Sequence, residues 1–517
     1  MIRPLRSAIA ALLLAPAALA AQLPMITVPS GLLRVDVNGA FYPSNDFRDD
    51  GGTRPIGSML DGTDNGMVSS LQRSLSQITG QSVTGLSLGG VSAVAAREHG
   101  VGEIGLALGL TRRITLFGTI PIVYVRNRVA LAFDSSTSRV GINPANTILG
   151  TSAGQQQATT FFSQFDAALT SLSTRIHDGD FAGDPATLAL AQQTLTRASS
   201  LRGSLFSLLS DPIHASAVLP VSGDPAATQL LGAITTLEST LSNQLGVADL
   251  NTVPALPSAT LTSDEFGSVL GSQGGFGFST LNSLPHYGLG DMTAGVAIQL
   301  VDRTSHSSAT HQAAWIRVAA RFPNGTVADQ SILLAQPTGS KSPAGLVDGI
   351  AEIGARHLGL RATATYQHEL AANYVERVTA PDAPLVPASF LAAVTVQPGD
   401  SMAITAQPFF RFAPHLAFAG VVQFWRRGGS SSSYFSGQAP IPGVSASVLD
   451  VGSSANALVV GIGLAYSHDG VGRDGHVGSP VEAGWSIERT IASGTGILPV
   501  ALTSRVYLRI YRPLLKR

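Results

Sequence analysis

Many segments of this chain alternate apolar and polar residues, which is the periodicity of a β-strand with two unlike faces. In the segment 505–511, three aliphatic residues share one face, and the opposite face carries two arginines and two tyrosines. Between residues 314 and 322 the polar face carries Arg317 and Arg321, and two charges on one face exclude its contact with lipid. Alternation of this kind over about ten residues is typical of outer-membrane β-barrels.

The alternation predicts thirteen strand segments. They are residues 32–42, 83–96, 103–110, 114–128, 288–301, 314–322, 346–358, 360–369, 402–412, 416–427, 457–467, 481–488 and 505–511. Single-chain bacterial barrels nearly always have an even number of antiparallel strands, so we expect about 12 or 14. The uncertain region is 83–103, which could hold one strand or two.

The connections between these segments are of two lengths. The tight connections 110–113, 357–361 and 413–415 are predicted to be periplasmic turns. The long connections, predicted to lie outside the cell, are 43–82, 143–284, 324–344, 379–399 and 428–454. The fold predicted from these segments is an all-β, closed antiparallel transmembrane barrel.

The connection 143–284 has a different periodicity and predicts helices. Apolar residues recur every three or four positions in three stretches, 161–176, 195–208 and 230–245, which is the pattern of amphipathic helices. Asp184-Pro185 and Asp224-Pro225 mark two helix starts, because the carboxylate caps the first turn and proline costs no hydrogen bond there. We expect an extracellular helical bundle, with a bundle that also covers or plugs the barrel mouth as the alternative.

Composition supports a membrane barrel that is exported. Residues 1–20 combine Arg3 and Arg6 with the apolar run 8–19 and small residues before a predicted cleavage site, as in a signal peptide. Only 13% of residues are charged, against about 25% in soluble proteins, and no stretch is long enough for a spanning helix. The predicted division is a signal peptide (1–20), first strands (21–142), the helical insertion (143–284) and remaining strands (285–517). A soluble β-sandwich is the alternative fold, because alternating strands also build sandwiches.

Charged residues on the predicted polar faces form the one candidate functional group that a pattern supports. In a barrel they would line the lumen, since each arginine turned toward the middle of the bilayer would cost about 2–4 kcal/mol. These lumen-lining candidates are Arg317, Arg321, Asp348, Glu352, Arg356, Arg361, Glu369, Arg411, Glu482, Glu488, Arg505 and Arg509. Both signs are present, which does not indicate a purely anion- or cation-selective pore. Alternatively, the charges pair across strands and fill a closed interior.

Other chemistry has weaker support in the sequence. His468, Asp469, Asp474 and His476 cluster, as do His306 and His311, but these segments are Gly- and Ser-rich turns, so we expect no metal. Residues 84–89 contain a Gly-x-Ser-x-Gly spacing around Ser87, yet no helix is predicted after it, as a nucleophile elbow requires. We therefore expect no catalytic residues and no cofactor. The net charge of −1 gives no indication of nucleic-acid binding.

Two segments resemble strand and turn sequences of outer-membrane channels. They are 109–123, GLTRRITLFGTIPIV, and 288–300, GLGDMTAGVAIQL. They resemble channel barrels of aromatic-hydrocarbon (phenol meta-pathway) degradation and, more distantly, long-chain fatty-acid transporters. The resemblance implies passive uptake of small, often hydrophobic compounds. The helical insertion and a chain end without a terminal aromatic residue depart from this pattern.

The sequence therefore predicts an outer-membrane channel or passive transporter for small, possibly hydrophobic solutes. Its expected partners are outer-membrane lipid and the export and barrel-assembly machinery, and the solute is not identified. One alternative is a surface structural or adhesion protein whose barrel only anchors the helices. Another is an outer-membrane hydrolase that uses Ser87.

Overall fold

A computed structural model describes residues 26–49, 52–62, 66–305, 310–355, 357–379, 385–413, 415–468, 480–496 and 498–514. The predicted signal peptide, 1–20, lies outside these residues. Twelve long strands of the described chain form the barrel wall: β1 Leu32–Ser44, β2 Gly90–Gly109, β3 Ile114–Asp134, β4 Met292–Ser305, β5 Thr310–Phe322, β6 Ala344–Ala355, β7 Leu358–Glu369, β8 Ser401–Ala413, β9 Leu416–Arg427, β10 Ala455–His468, β11 Val481–Ser493 and β12 Leu502–Pro513.

These strands close into a barrel. Each strand pairs antiparallel with the strands before and after it, and β12 pairs with β1, Val37 opposite Leu508. The short strand His286–Leu289 extends the wall along β3, just before β4 begins. The predicted closed antiparallel barrel is confirmed, and the β-sandwich alternative is wrong, because the pairing of β12 with β1 closes the strands into one hydrogen-bonded ring.

The strand prediction contains one error among the described residues. The segments predicted as 83–96 and 103–110 form a single strand, β2, which pairs without interruption with β3 from Gly90–Asp134 to Gly109–Thr115. Residues 83–89 are irregular. β2 and β3 extend beyond their neighbours as a long hairpin because the first part of β2 packs against the helices, and the predicted thirteen segments become twelve.

The outer face of the wall is apolar, as the alternation predicts. Val318 and Val506 expose 50% and 52% of their surface, while their strand neighbours Arg321 and Arg509 expose 6% and 2%. A continuous exposed apolar surface is unfavourable in water and matches the hydrocarbon of a bilayer. Among the described residues, none of the helices has the length and apolar character needed to cross a membrane.

The remaining elements connect the strands at one end. The helices are α1 Gly66–Thr79, α2 Ser152–His177, α3 Pro185–Leu209, α4 Pro225–Ser239, which continues as a π-turn through Gln244, and α5 Ser263–Gly271. The short strands are Asp46–Asp49, Gly52–Pro55, Val140–Ile142, Val218–Pro220, Ala372–Arg377, Leu391–Gln397, Ser431–Tyr434 and Leu498–Val500. Single 3-10 turns lie at Ile56–Met59, Ser135–Thr137, Ala388–Phe390 and Ala446–Asp450.

The helix starts follow the predicted chemistry. Asp184 accepts hydrogen bonds from the amides of Ala186 and Thr187, and Asp224 accepts one from Ala226, each before a proline. The three predicted stretches become α2, α3 and α4. Helices α1 and α5 were not predicted, and α1 lies in what was predicted as a plain loop, 43–82.

The helices share one hydrophobic core with the barrel mouth. Phe161 and Leu205 of the insertion belong to the same buried cluster as Val91 of β2 and Trp425 of β9. All the long connections predicted to lie outside lie at this end, and the tight turns lie at the other. We call residues 45–89, 135–285, 323–343, 370–400 and 428–454 together the cap.

Candidate functional site: the cavity inside the barrel

The barrel encloses a cavity of about 470 Å³, and residues from all twelve strands line it. A volume of this size matches pockets that hold small molecules. Its wall is mixed: Val101, Val123 and Trp425 are apolar, whereas Thr363 and Gln407 are polar. The inward faces therefore leave space, although many of their charges are paired.

Most of the inward charges form ion pairs between strands, because the register places opposite charges side by side. Arg317 of β5 is the register partner of Asp348 of β6 and lies 2.7 Å from it. Arg361 of β7 is the partner of Glu352 of β6, and its Nε donates to the carboxylate at 2.8 Å. Cross-strand pairs of this kind stabilise a sheet when they are opposite in sign.

A second ionic group joins the last strands to the first. Arg509 of β12 lies 3.3 Å from Asp36 of β1 and 3.7 Å from Glu482 of β11. Arg34 also binds Asp36, at 2.8 Å. Because Arg509 connects β11, β12 and β1, this group joins the two ends of the chain across the position where the barrel closes.

The predicted lumen residues are placed in four ways. Seven of them line the cavity: Arg317, Arg321, Asp348, Arg361, Glu488, Arg505 and Arg509. Three buried carboxylates contact these arginines from within the wall: Glu352, Glu369 and Glu482. Arg411 is exposed near the tight-turn end, where it stacks on Phe409. Arg356 lies outside the described residues.

Sequence reasoning missed several inward residues on the first two strands. Arg34, Asp36, Tyr42, His99 and Glu103 line the cavity as well. The sequence did indicate two of them, since Arg34 and Asp36, together with Asn38, alternate with apolar residues in the same way as the candidates on β12. The sequence contains no such indication for His99, because it lies between the predicted strands 83–96 and 103–110 and therefore belongs to neither.

An inner loop, residues 323–343 between β5 and β6, forms the roof of the cavity. Asp291 binds both stems of the loop, accepting the amides of Gly325 at 2.9 Å and Ser340 at 2.8 Å. The Gln336 side chain crosses to β3 and donates to the carbonyl of Arg126 at 2.9 Å. Thr338 and Gly339 then face the cavity.

The residues before β1 form the floor at the tight-turn end. The amide of Val28 donates to Thr115 Oγ1 at 2.8 Å, and Val28 is fully buried. Gly109 allows this approach, since a Cβ on it would lie 2.1 Å from the carbonyl oxygen of Pro29. Ile26 reaches further inward and lines the cavity.

Arg377, in the cap, joins three parts of the chain above the roof. Its guanidinium donates to the carbonyls of Gln330, in the inner loop, and Val386, both at 2.9 Å. It also lies 4.3 Å from the ring centre of Phe278, in the insertion. Its neighbour Glu376 receives a hydrogen bond from Gln330 at 3.4 Å, and burial raises the pKa of Glu376 to about 7.

The raised pKa of Glu376 predicts that this part of the cap is more stable in mild acid. The protonated form is favoured in the folded cap, so the stabilising contribution is complete below the usual carboxyl pKa of 4.5 and is lost as pH rises through about 7. Amide hydrogens in the strands Ala372–Arg377 and Leu391–Gln397 should, after correction for intrinsic rates, be more protected from exchange at pH 5 than at pH 8. Glu376→Gln should remove that difference, and an unchanged pH dependence in this variant would contradict the assignment.

Two weaker candidates acquire no further support. Ser87 was predicted to lie in the strand 83–96, but it lies in an irregular segment. Its Oγ accepts a hydrogen bond from the amide of Gly89 at 3.2 Å. His306, Asp469, Asp474 and His476 lie outside the described residues. Within the part of the chain that is described, no three histidine and carboxylate side chains are grouped as metal ligands.

This chain is similar to known proteins in structure. No family model matches the sequence, and no curated protein is similar to it in sequence. Solved structures similar to this chain include an outer membrane channel of Pseudomonas putida F1, at 8% identity and a TM-score of 0.40, with 94% of this chain and 96% of that one covered.

Two further solved structures are similar in the same way. They are the P. putida toluene transporter TodX (8% identity, TM-score 0.24, 95% and 92% covered) and a Pseudomonas aeruginosa FadL homologue (8%, 0.24, 94% and 90%). The autotransporter translocator NalP of Neisseria meningitidis is similar as well (7%, 0.30, 93% and 89%). The likeness concerns the fold.

Proposed function

We propose that this protein is an outer-membrane channel for the passive uptake of small solutes, including apolar ones. The observation that carries the proposal is the cavity to which all twelve strands contribute, enclosed by a wall with an apolar outer face. A barrel that served only as an anchor would need no cavity lined by polar and apolar side chains together. The cap end would face outward and the tight turns the periplasm, after removal of the signal peptide.

The paired charges give the lumen its expected selectivity. Arg317–Asp348 and Arg361–Glu352 neutralise each other across neighbouring strands, so the wall offers no large field of one sign to attract or repel ions. Uncharged threonine and glutamine side chains lie between them. Such a wall favours uncharged or singly charged solutes over highly charged ones.

The adhesion alternative requires helices that are displayed away from the barrel. Instead, the helices share their core with the strand ends: Leu205 of α3 and Val129 of β3 belong to one buried cluster. This shared core supports a role of the insertion in restricting the passage of solutes, which favours the channel.

Permeation into liposomes tests the proposal. Purified protein whose mobility in SDS shifts on boiling is inserted into lipid vesicles, and swelling is followed with neutral solutes of increasing size. We expect swelling with the smallest solutes and a sharp decline with size, because the roof and floor narrow the passage. The channel would be rejected if vesicles with the intact protein, and vesicles with a variant that lacks residues 327–337 of the inner loop, were as impermeable to every solute as protein-free vesicles.

A further inference from the structure

Arg97 on β2 is a buried cation for which the described residues supply no counter-charge. The residue is 8% exposed, and no hydrogen-bond acceptor among the described residues reaches its Nε or Nη2. Its neighbour in sequence, Glu98, binds Tyr124 at 2.7 Å and Arg128 at 2.6 Å instead. By contrast, the buried Arg34 and Arg361 each have a carboxylate partner.

Arg97 lies on the same inward face of β2 as His99, one inward position nearer the cap; His99 lines the cavity, and Arg97 is not itself among the lining residues. It lies between its register partners Ser44 of β1 and Asn127 of β3. The Asn127 amide donates to the carbonyl of Leu333, in the inner loop, at 2.6 Å, so Arg97 lies where the roof meets the wall. His99, two residues along the same face, lines the cavity and brings a second buried nitrogen, Nε2, without a partner in the described chain.

The surroundings of Arg97 define the chemistry of a ligand. A buried guanidinium without a partner is costly, and a carboxylate is the anion whose shape fits it best. The stacked rings of Tyr42 and His99, 4.5 Å apart, lie beside it, and Val101 and Val123 continue the wall below. The site thus offers one positive charge followed by an apolar surface.

We propose that Arg97, with His99 and Tyr42, binds the carboxylate of a small, singly charged organic acid whose apolar body extends into the cavity. This assignment rests on the proposed function in one respect only, namely that the bound acid is a solute that the channel takes up. Binding itself can be measured on detergent-solubilised protein without any transport. Failure of permeation and failure of this site are therefore distinguishable.

Calorimetric titration with benzoate tests the site, with benzyl alcohol as its uncharged counterpart. Arg97→Gln should weaken benzoate binding about 10- to 100-fold, which is the loss in affinity expected when a hydrogen bond between charged groups is removed. It should leave benzyl alcohol binding unchanged. Arg97→Lys should retain part of the benzoate affinity, because it keeps the positive charge but loses the two parallel hydrogen bonds of the guanidinium. The control Arg128→Gln changes the net charge equally on the neighbouring strand, but its side chain is 53% exposed and bound to Glu98, so benzoate binding should not change.

Three outcomes would overturn the proposal. One is equal benzoate affinity in Arg97→Gln and the unmodified protein. Another is binding of inorganic phosphate or chloride at this site with no benzoate binding, which would show a site for small inorganic anions. The third is a lower melting temperature of ligand-free Arg97→Gln, because removal of an uncompensated buried charge should not destabilise the barrel.

Discussion

Removal of residues 327–337 from the inner loop is expected to raise the rate of solute permeation about tenfold, because the narrowest part of a passage limits flux. The deletion removes the contacts of Leu333 and Gln336 with β3, which hold the roof over the cavity. The stems should stay in place, since the Thr338 amide donates to the Thr326 carbonyl at 2.9 Å. Two glycines can therefore join Thr326 to Thr338 without displacing either stem.

A matched deletion separates the roof from the rest of the cap. Residues 436–440 also lie in a cap loop, are exposed and do not line the cavity. Replacement of these residues by two glycines should leave liposome swelling unchanged. Equal permeation in both variants and the intact protein would show that the inner loop does not limit passage. Heat-modifiable mobility in SDS verifies that each variant contains a folded barrel.

The second large effect concerns the buried pair Arg361–Glu352, whose side chains are each 6% exposed. Arg361→Met should lower the stability of the barrel by about 3–5 kcal/mol, because it leaves Glu352 buried and charged without its partner. The double variant Arg361→Met/Glu352→Leu should recover most of that loss. The temperature at which the folded form disappears in SDS gives the ranking, and urea unfolding in detergent gives the free energies.

The control for this prediction is an ion pair on the surface. Arg128 lies 2.6 Å from Glu98, but its side chain is 53% exposed, so Arg128→Met should cost less than about 1 kcal/mol. A loss from Arg361→Met as small as this would mean that Glu352 is compensated by water or by other groups. A double variant as unstable as the single one would mean that packing, and not the unpaired charge, accounts for the loss.

The sequence predicts the wall better than the cap, for a physical reason. Alternation is a local property: a residue such as Arg509 cannot face lipid at acceptable cost, so its own neighbours decide which face it takes. The same reasoning places Arg317 and Asp348 inside, before their pairing is known. It fails within β2, because residues 97–102 combine charged residues and glycines without strict alternation, and the sequence predicts a break where the strand continues.

The sequence by itself determined that this chain forms strands with an apolar face outward and charges inward, interrupted by a helical insertion with marked starts. Only the tertiary structure decided that the strands are twelve, that Arg361 lies beside Glu352, and that residues 323–343 fold inward over a cavity. It also decided that no carboxylate of the described residues pairs with Arg97. These properties depend on register and on contacts between residues far apart in the chain, which local periodicity does not encode.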